Sequence, residues 1–115
     1  MLIKNFYEQI PKRSSSHGGV GEVLGRSIFE KNELDTNLRF IHYTEILLGS
    51  SIGYHEHGNN EEVYIVLRGT GRLTVNGVSK EVKAGDVLMN KPFWSHGLEN
   101  TGAENLCILV FEVEG

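Results

Sequence analysis

The feature that most limits how this chain can fold is its punctuation: short apolar runs, rich in β-branched and aromatic residues, each closed by a glycine-bearing turn. Fourteen of the 115 residues are glycine and only two are proline, so glycine makes the turns. Leu38–Leu48 reads as a long strand with Leu38, Phe40, Thr44, Ile46 and Leu48 alternating on one face. Glu62–Arg68 is dense in Val, Ile, Tyr and Leu, a composition suited to strands. Arg72–Val75 and Val78–Lys83 flank Asn76-Gly77, a pair that accepts the two positive φ angles of a tight hairpin. Gly25–Phe29, Asp86–Asn90 and Asn105–Val113 are further strands. Ser14–Gly21 reads as a flexible loop, and Lys31–Asn37 as a helical turn. Asn5–Ile10 fits either a short helix or an edge strand. These elements predict an all-β fold.

Two of the strands are apolar on both alternation classes. Asn105–Val113 sets Leu106, Ile108 and Val110 against Cys107, Leu109, Phe111 and Val113, and Glu62–Arg68 sets Val63, Ile65 and Leu67 against Tyr64 and Val66. A small barrel standing alone would wet one face and keep it polar. The pattern therefore predicts cover from a second sheet or a partner subunit, and a homodimer is expected.

The length suits one domain over residues 1–115. Lys and Arg number 11 against 15 Asp and Glu, a net charge of −4, which gives no footprint for nucleic acid or an anionic membrane. One cysteine, Cys107, allows no internal disulfide and reads as a buried structural thiol. Met1–Ile10 carries Lys4 and Glu8 without a long apolar core, unlike a signal peptide, and no run approaches the ~20 apolar residues of a membrane span. A soluble cytoplasmic protein is expected.

The chemistry concentrates in Tyr54-His55-Glu56-His57, with Glu62 following and His96 far downstream. Residues i and i+2 of a strand share a face, so His55 and His57 project together. A turn over Gly58–Glu61 can bring the Glu62 carboxylate opposite them, and His96 can join from a strand pairing nearby. Three neutral imidazoles and a carboxylate suit a borderline divalent ion such as iron, manganese, nickel, copper or zinc. Four protein ligands leave two positions open on an octahedral ion, as a catalytic or ligand-binding metal requires.

The surrounding pattern resembles the cupin superfamily. The first cupin motif, G(X)5HXH(X)3-4E(X)6G, is matched from Gly49 through His55, His57 and Glu62 to Gly69 with every fixed position filled. The second, G(X)5PXG(X)2H(X)3N, is matched at Gly85, His96 and Asn100; Pro92 lies one residue late, and Phe93 and Trp94 replace the usual glycine. The resemblance implies a double-stranded β-helix, or jelly-roll, barrel around motifs 49–69 and 85–100, preceded by an N-terminal arm and loop over 1–35. It also implies one divalent transition metal held by His55, His57, Glu62 and His96. Glu61 is the rival carboxylate, because the motif permits a shorter spacing; the six residues before Gly69 favour Glu62.

Strand parity extends the pocket. If Glu62 points inward, so does Tyr64, and Trp94 is expected to follow His96. His42 shares a face with Phe40, Thr44 and Ile46, as a core histidine or a base. His17 is expected in solvent, on a loop that can also fold over the barrel mouth. The resemblance implies a metal-dependent enzyme acting on a small molecule, of dioxygenase or isomerase, epimerase or lyase type. The alternative is a non-catalytic small-molecule, sugar-binding or sensor protein.

Overall fold

The computed structural model describes residues 1–115. Ten strands carry the fold: β1 (Lys12–Ser14), β2 (Val23–Phe29), β3 (Leu38–Ile46), β4 (Ser51–Glu56), β5 (Asn60–Arg68), β6 (Thr70–Val75), β7 (Val78–Lys83), β8 (Val87–Asn90), β9 (Ser95–Asn100) and β10 (Leu106–Glu114). The only helical segments are single 3-10 turns at Phe6–Glu8 and Lys31–Glu33, so the Asn5–Ile10 segment is a turn rather than an edge strand. Asn76 and Gly77 have φ of 47° and 81°, the two positive angles that the β6–β7 hairpin requires.

The strands form two antiparallel sheets. One has six strands in the order β1-β2-β3-β10-β5-β8, the other four in the order β4-β9-β6-β7. Their facing sides enclose a core in which Ile46, Val66, Leu98, Leu106 and Ile108 are almost fully buried. Each sheet is assembled from strands distant in sequence: β10 lies between β3 and β5, and β9 between β4 and β6. This is a jelly-roll architecture, the one the motif resemblance implies. The registers align side chains in rows across the six-stranded sheet. Phe40, Glu112, Glu62 and Asn90 form one row, and His42, Val110, Tyr64 and Leu88 the next.

The second apolar face of β10 and β3 is covered in part by the N-terminal segment. Phe6 stacks on Tyr43 with ring centroids 4.3 Å apart, and Ile28, Tyr43 and Cys107 form a small separate core beneath it. Cys107 is buried there. The rest of that face is an open groove of about 770 Å³ lined by Leu38, Ile41, Phe111 and Val113. No helix is long and apolar enough to cross a membrane.

Two devices hold the strand ends. Ser14–Gly21 folds back along β4: the Gly53 N–H donates to Ser16 O and the Ser51 N–H to Val20 O. The approach is close enough that a Cβ on Gly53 would stand 2.1 Å from the His17 carbonyl. Composition suggested a flexible loop, but these backbone bonds place it against β4. The second device is Asn100, whose amide donates to the carbonyls of Ile46, Leu47 and Glu104 while its oxygen accepts the Gly102 N–H. Asn100→Ala leaves these carbonyls without their donor, that of Ile46 in a buried position and the other two partly buried. The expected loss is about 3 kcal/mol, or roughly 10–20 °C in the unfolding midpoint of a chain this size. Thermal circular dichroism checks it, and a change under about 1 kcal/mol contradicts the clamp role.

Candidate metal centre

Four side chains meet between the two sheets. His55 lies near the end of β4 and stands opposite His96 of β9 in register. His57 follows β4 directly, its backbone N–H held by the Trp94 carbonyl at 2.9 Å. Glu62 comes from β5. His55 Nε2 lies 3.1 Å from His57 Nε2, which lies 3.0 Å from His96 Nε2. Glu62 Oε1 is 3.4 Å from His57 Nε2 and 3.3 Å from His96 Nε2.

The far nitrogens of two rings settle which way the protons lie. His55 Nδ1 is 2.7 Å from the Gly53 carbonyl, and His57 Nδ1 is 2.7 Å from Asn60 Oδ1. Both partners accept, so both rings carry hydrogen on Nδ1 and present a bare lone pair at Nε2. Those lone pairs face each other with no proton between them, an arrangement that repels unless a cation stands among them. The spacing also suits one. Two ligands at right angles on an ion with ~2.1 Å bonds are ~3.0 Å apart. The donor set fits a borderline divalent metal.

The environment is buried and charged. Burial lowers the His55 pKa against the smaller opposing effect of its bond to Gly53. Burial also works to raise the Glu62 carboxyl, but in the metal-free site the His96 hydrogen bond and the attraction of His57 and His96 in their protonated forms outweigh it and leave it below the usual range. Tyr64 is buried with its hydroxyl 3.5 Å from His96 Nε2, and burial with the Glu62 charge raises its phenol well above the usual value. Glu61 lies across the strand, paired at 2.9 Å with Lys91 and outside the cluster.

Two residues of the site went unnoticed in the sequence. Glu112 is buried beside Glu62, 3.5 Å from His57 Nδ1, and is held by Arg39 at 2.9 Å. Burial and the neighbouring Glu62 raise its pKa. Its signal was legible: Glu112 shares parity with Leu106, Ile108 and Val110 on the inward side of β10. Asn90 opposes Glu62 on β8 and is buried with neither amide atom hydrogen-bonded. An unpaired buried amide is costly.

A cavity of about 300 Å³ opens beside the cluster, with Glu62, Tyr64, His42, Thr44, His17 and Val110 in its wall. His17 is exposed to solvent as expected, yet its ring also stacks flat on His55 with centroids 3.6 Å apart, and the partial desolvation lowers its pKa. Trp94 does not follow His96 inward. It sits in the turn ahead of β9, where strand parity does not apply, and is 41% exposed.

Residues 42–112 match the family model described as a cupin domain. The chain belongs to the cupin family. This cupin is 36% identical over 100 residues to the oxalate-binding protein of Thermotoga maritima, covering 86% of this chain and 83% of that one. It is 31% identical to an uncharacterized protein of Methanocaldococcus jannaschii, covering 94% and 83% respectively. Among solved structures, a predicted oxalate decarboxylase of Thermotoga maritima superposes with a TM-score of 0.95 at 32% identity, covering 98% of this chain and 99% of that one. The second motif of this cupin departs from the family pattern where Phe93 stands for glycine. Phe93 adopts φ of 63°, so the backbone keeps the left-handed conformation glycine would take, at about 1 kcal/mol of strain. The turn Lys91–Trp94 closes through the Trp94 N–H on Lys91 O, and the Phe93 N–H ties it to Gly58 O next to His57.

The lowered pKa values of His55 and His17 set a pH response for the metal-free cupin. The folded state binds fewer protons than the unfolded one, so stability is highest above the ordinary histidine value near ~6.5 and falls as pH drops through it. The raised Glu112 carboxyl opposes this in part. The unfolding midpoint of chelator-treated protein is expected to fall between pH 7.5 and 5.5. A level or rising midpoint contradicts the assignment.

Proposed function

We propose that this cupin holds one divalent transition-metal ion through His55, His57, Glu62 and His96 and receives a small carboxylate-bearing molecule, with oxalate the first candidate, in the cavity beside Glu62 and Tyr64. The observation that carries the reading is the pair of facing Nε2 lone pairs on His55 and His57, whose protons are committed to Gly53 O and Asn60 Oδ1. The likeness to the Thermotoga maritima oxalate-binding protein supports the ligand class. A bound ion supplies Lewis acidity, suited to isomerase, epimerase or lyase chemistry, or redox capacity, suited to dioxygenase chemistry.

The protein's own groups do the rest. Gly53 O and Asn60 orient two rings, and Glu112 adds a carboxylate behind His57. Tyr64 and Val110 give the cavity apolar surface, and His17 covers His55 from the loop side. Binding without turnover is the second reading. It is favoured by the cavity wall, whose polar side chains beyond Glu62 and Tyr64 are serines, a threonine and two histidines, with no lysine or arginine.

Elemental analysis of protein purified without chelators or metal-affinity columns tests the reading directly. About one ion per chain is expected, and His57→Ala should fall below about a tenth of that with the β-type circular dichroism intact. Unchanged metal in the variant would sink the site. Because ligation needs neutral imidazole, metal should leave as pH drops below about 6; full occupancy at pH 4.5 contradicts the assignment. Oxalate should bind the metal-loaded protein and not the stripped one.

We further propose that the groove of Leu38, Ile41, Phe111 and Val113 is the face of a homodimer. An apolar groove of this kind on a sheet is a common self-association surface. Sedimentation velocity at micromolar concentration should show a dimer, and Phe111→Glu a monomer. A wild-type monomer overturns this.

A further inference from the structure

The cavity holds a second built polar group, distant in sequence from the four donors. His42 lies on β3 in the row of Val110 and Tyr64, two strand spacings or about 10 Å from Tyr64 along the sheet. Its ring stacks on Phe40 with centroids 4.2 Å apart. Its Nε2 is 3.0 Å from Glu30 Oε1. The same Glu30 oxygen is bonded by the Ser27 hydroxyl, and the Glu30 backbone N–H is held by Glu33 Oε1 at 3.1 Å. The Ser27 bond and then the His42 bond keep the Glu30 carboxyl below its usual pKa. Glu30 thus stands as a fixed anion behind the ring and commits Nε2–H to itself. Nδ1 has no protein partner, and the ring lines the wall shared with Glu62 and Tyr64. Packing alone does not call for this arrangement: the neighbouring inward positions Ile46 and Val110 are filled by aliphatic side chains.

We propose that His42, positioned by Glu30, is the contact for the end of the bound ligand that points away from the four metal-binding side chains. The inference rests on the metal-and-carboxylate reading above. Held between the Glu30 carboxylate and a carboxylate of the ligand, the ring carries a proton on each nitrogen and donates one to each. His42 then selects ligands bearing a second carboxylate, and Glu30 acts only through His42.

The test uses metal-loaded wild type, His42→Ala, His42→Gln and Glu30→Gln. Each is checked for metal content and titrated calorimetrically with oxalate and, as a one-carboxylate control, acetate. Metal content should stay at the wild-type level in all four. Oxalate affinity should fall at least about 10-fold in His42→Ala, the effect of one lost charge-assisted hydrogen bond, and about 3-fold or more in Glu30→Gln. His42→Gln, which keeps a donor, should recover part of the loss. Acetate affinity should move by less than about 2-fold, since that probe has no second carboxylate to lose. Unchanged oxalate affinity in a His42→Ala protein that retains its metal overturns the role of His42 alone. So does an equal loss for both probes, because that pattern reports damage to the ion's surroundings. Wild type that holds metal but binds neither probe overturns both this inference and the carboxylate part of the proposed function. Wild type that takes up no metal overturns the reading beneath them.

Discussion

The interior of this barrel is organised around unshielded lone pairs. Three imidazole rings and the Glu62 carboxylate converge, with neighbouring donor atoms 3.0 to 3.4 Å apart, against a core of Ile, Leu, Val and Tyr. Such a grouping is costly in a largely buried site, because at least two of the rings have committed their protons elsewhere. A cation relieves that repulsion in the way a hydrogen bond relieves a buried carbonyl. The proposal of a cation rests first on where these ring protons are committed, and only then on the family likeness.

The scaffold spends its irregular features on holding this arrangement. The Lys91–Trp94 turn carries a non-glycine residue at positive φ, and it anchors both sides of the site: Trp94 O holds His57, and Phe93 N holds Gly58. The loop around His17 lies against β4 only because Gly19 and Gly53 leave no Cβ between the two backbones. Behind the rings, Arg39 balances the buried Glu112, so the second carboxylate of the row can stay near His57 without facing Glu62 uncompensated.

The outer face of the six-stranded sheet follows a different logic. Its double-sided apolar strands demanded cover, and the chain supplies part of that from its own N-terminal segment through Phe6, which packs on Tyr43 of β3 and the small core it shares with Ile28 and Cys107. Covering that corner leaves the strip around Ile41 and Phe111 open. One sequence pattern is thus met by two kinds of packing, which alternation alone does not separate.

What the sequence determined by itself were features written in local spacing. Period-two alternation and glycine turns specify strands, Asn76-Gly77 specifies its hairpin, and His55-x-His57 puts two rings on one side, because each depends on neighbouring residues alone. Between Glu61 and Glu62 the residues alone left the choice open: the motif resemblance favoured Glu62, and the structure pairs Glu61 with Lys91 instead. Tertiary structure decided whatever depends on pairing between distant strands. The β4–β9 register puts His96 opposite His55, and placing β10 between β3 and β5 brings Glu112 and His42 into rows with Glu62 and Tyr64. The chain enters β9 through a turn, so Trp94 leaves the inward face that parity assigned it. His17 reaches His55 through backbone bonds between a loop and a strand more than thirty residues away. Contacts of that range are set by how the sheets close, and no local period encodes them.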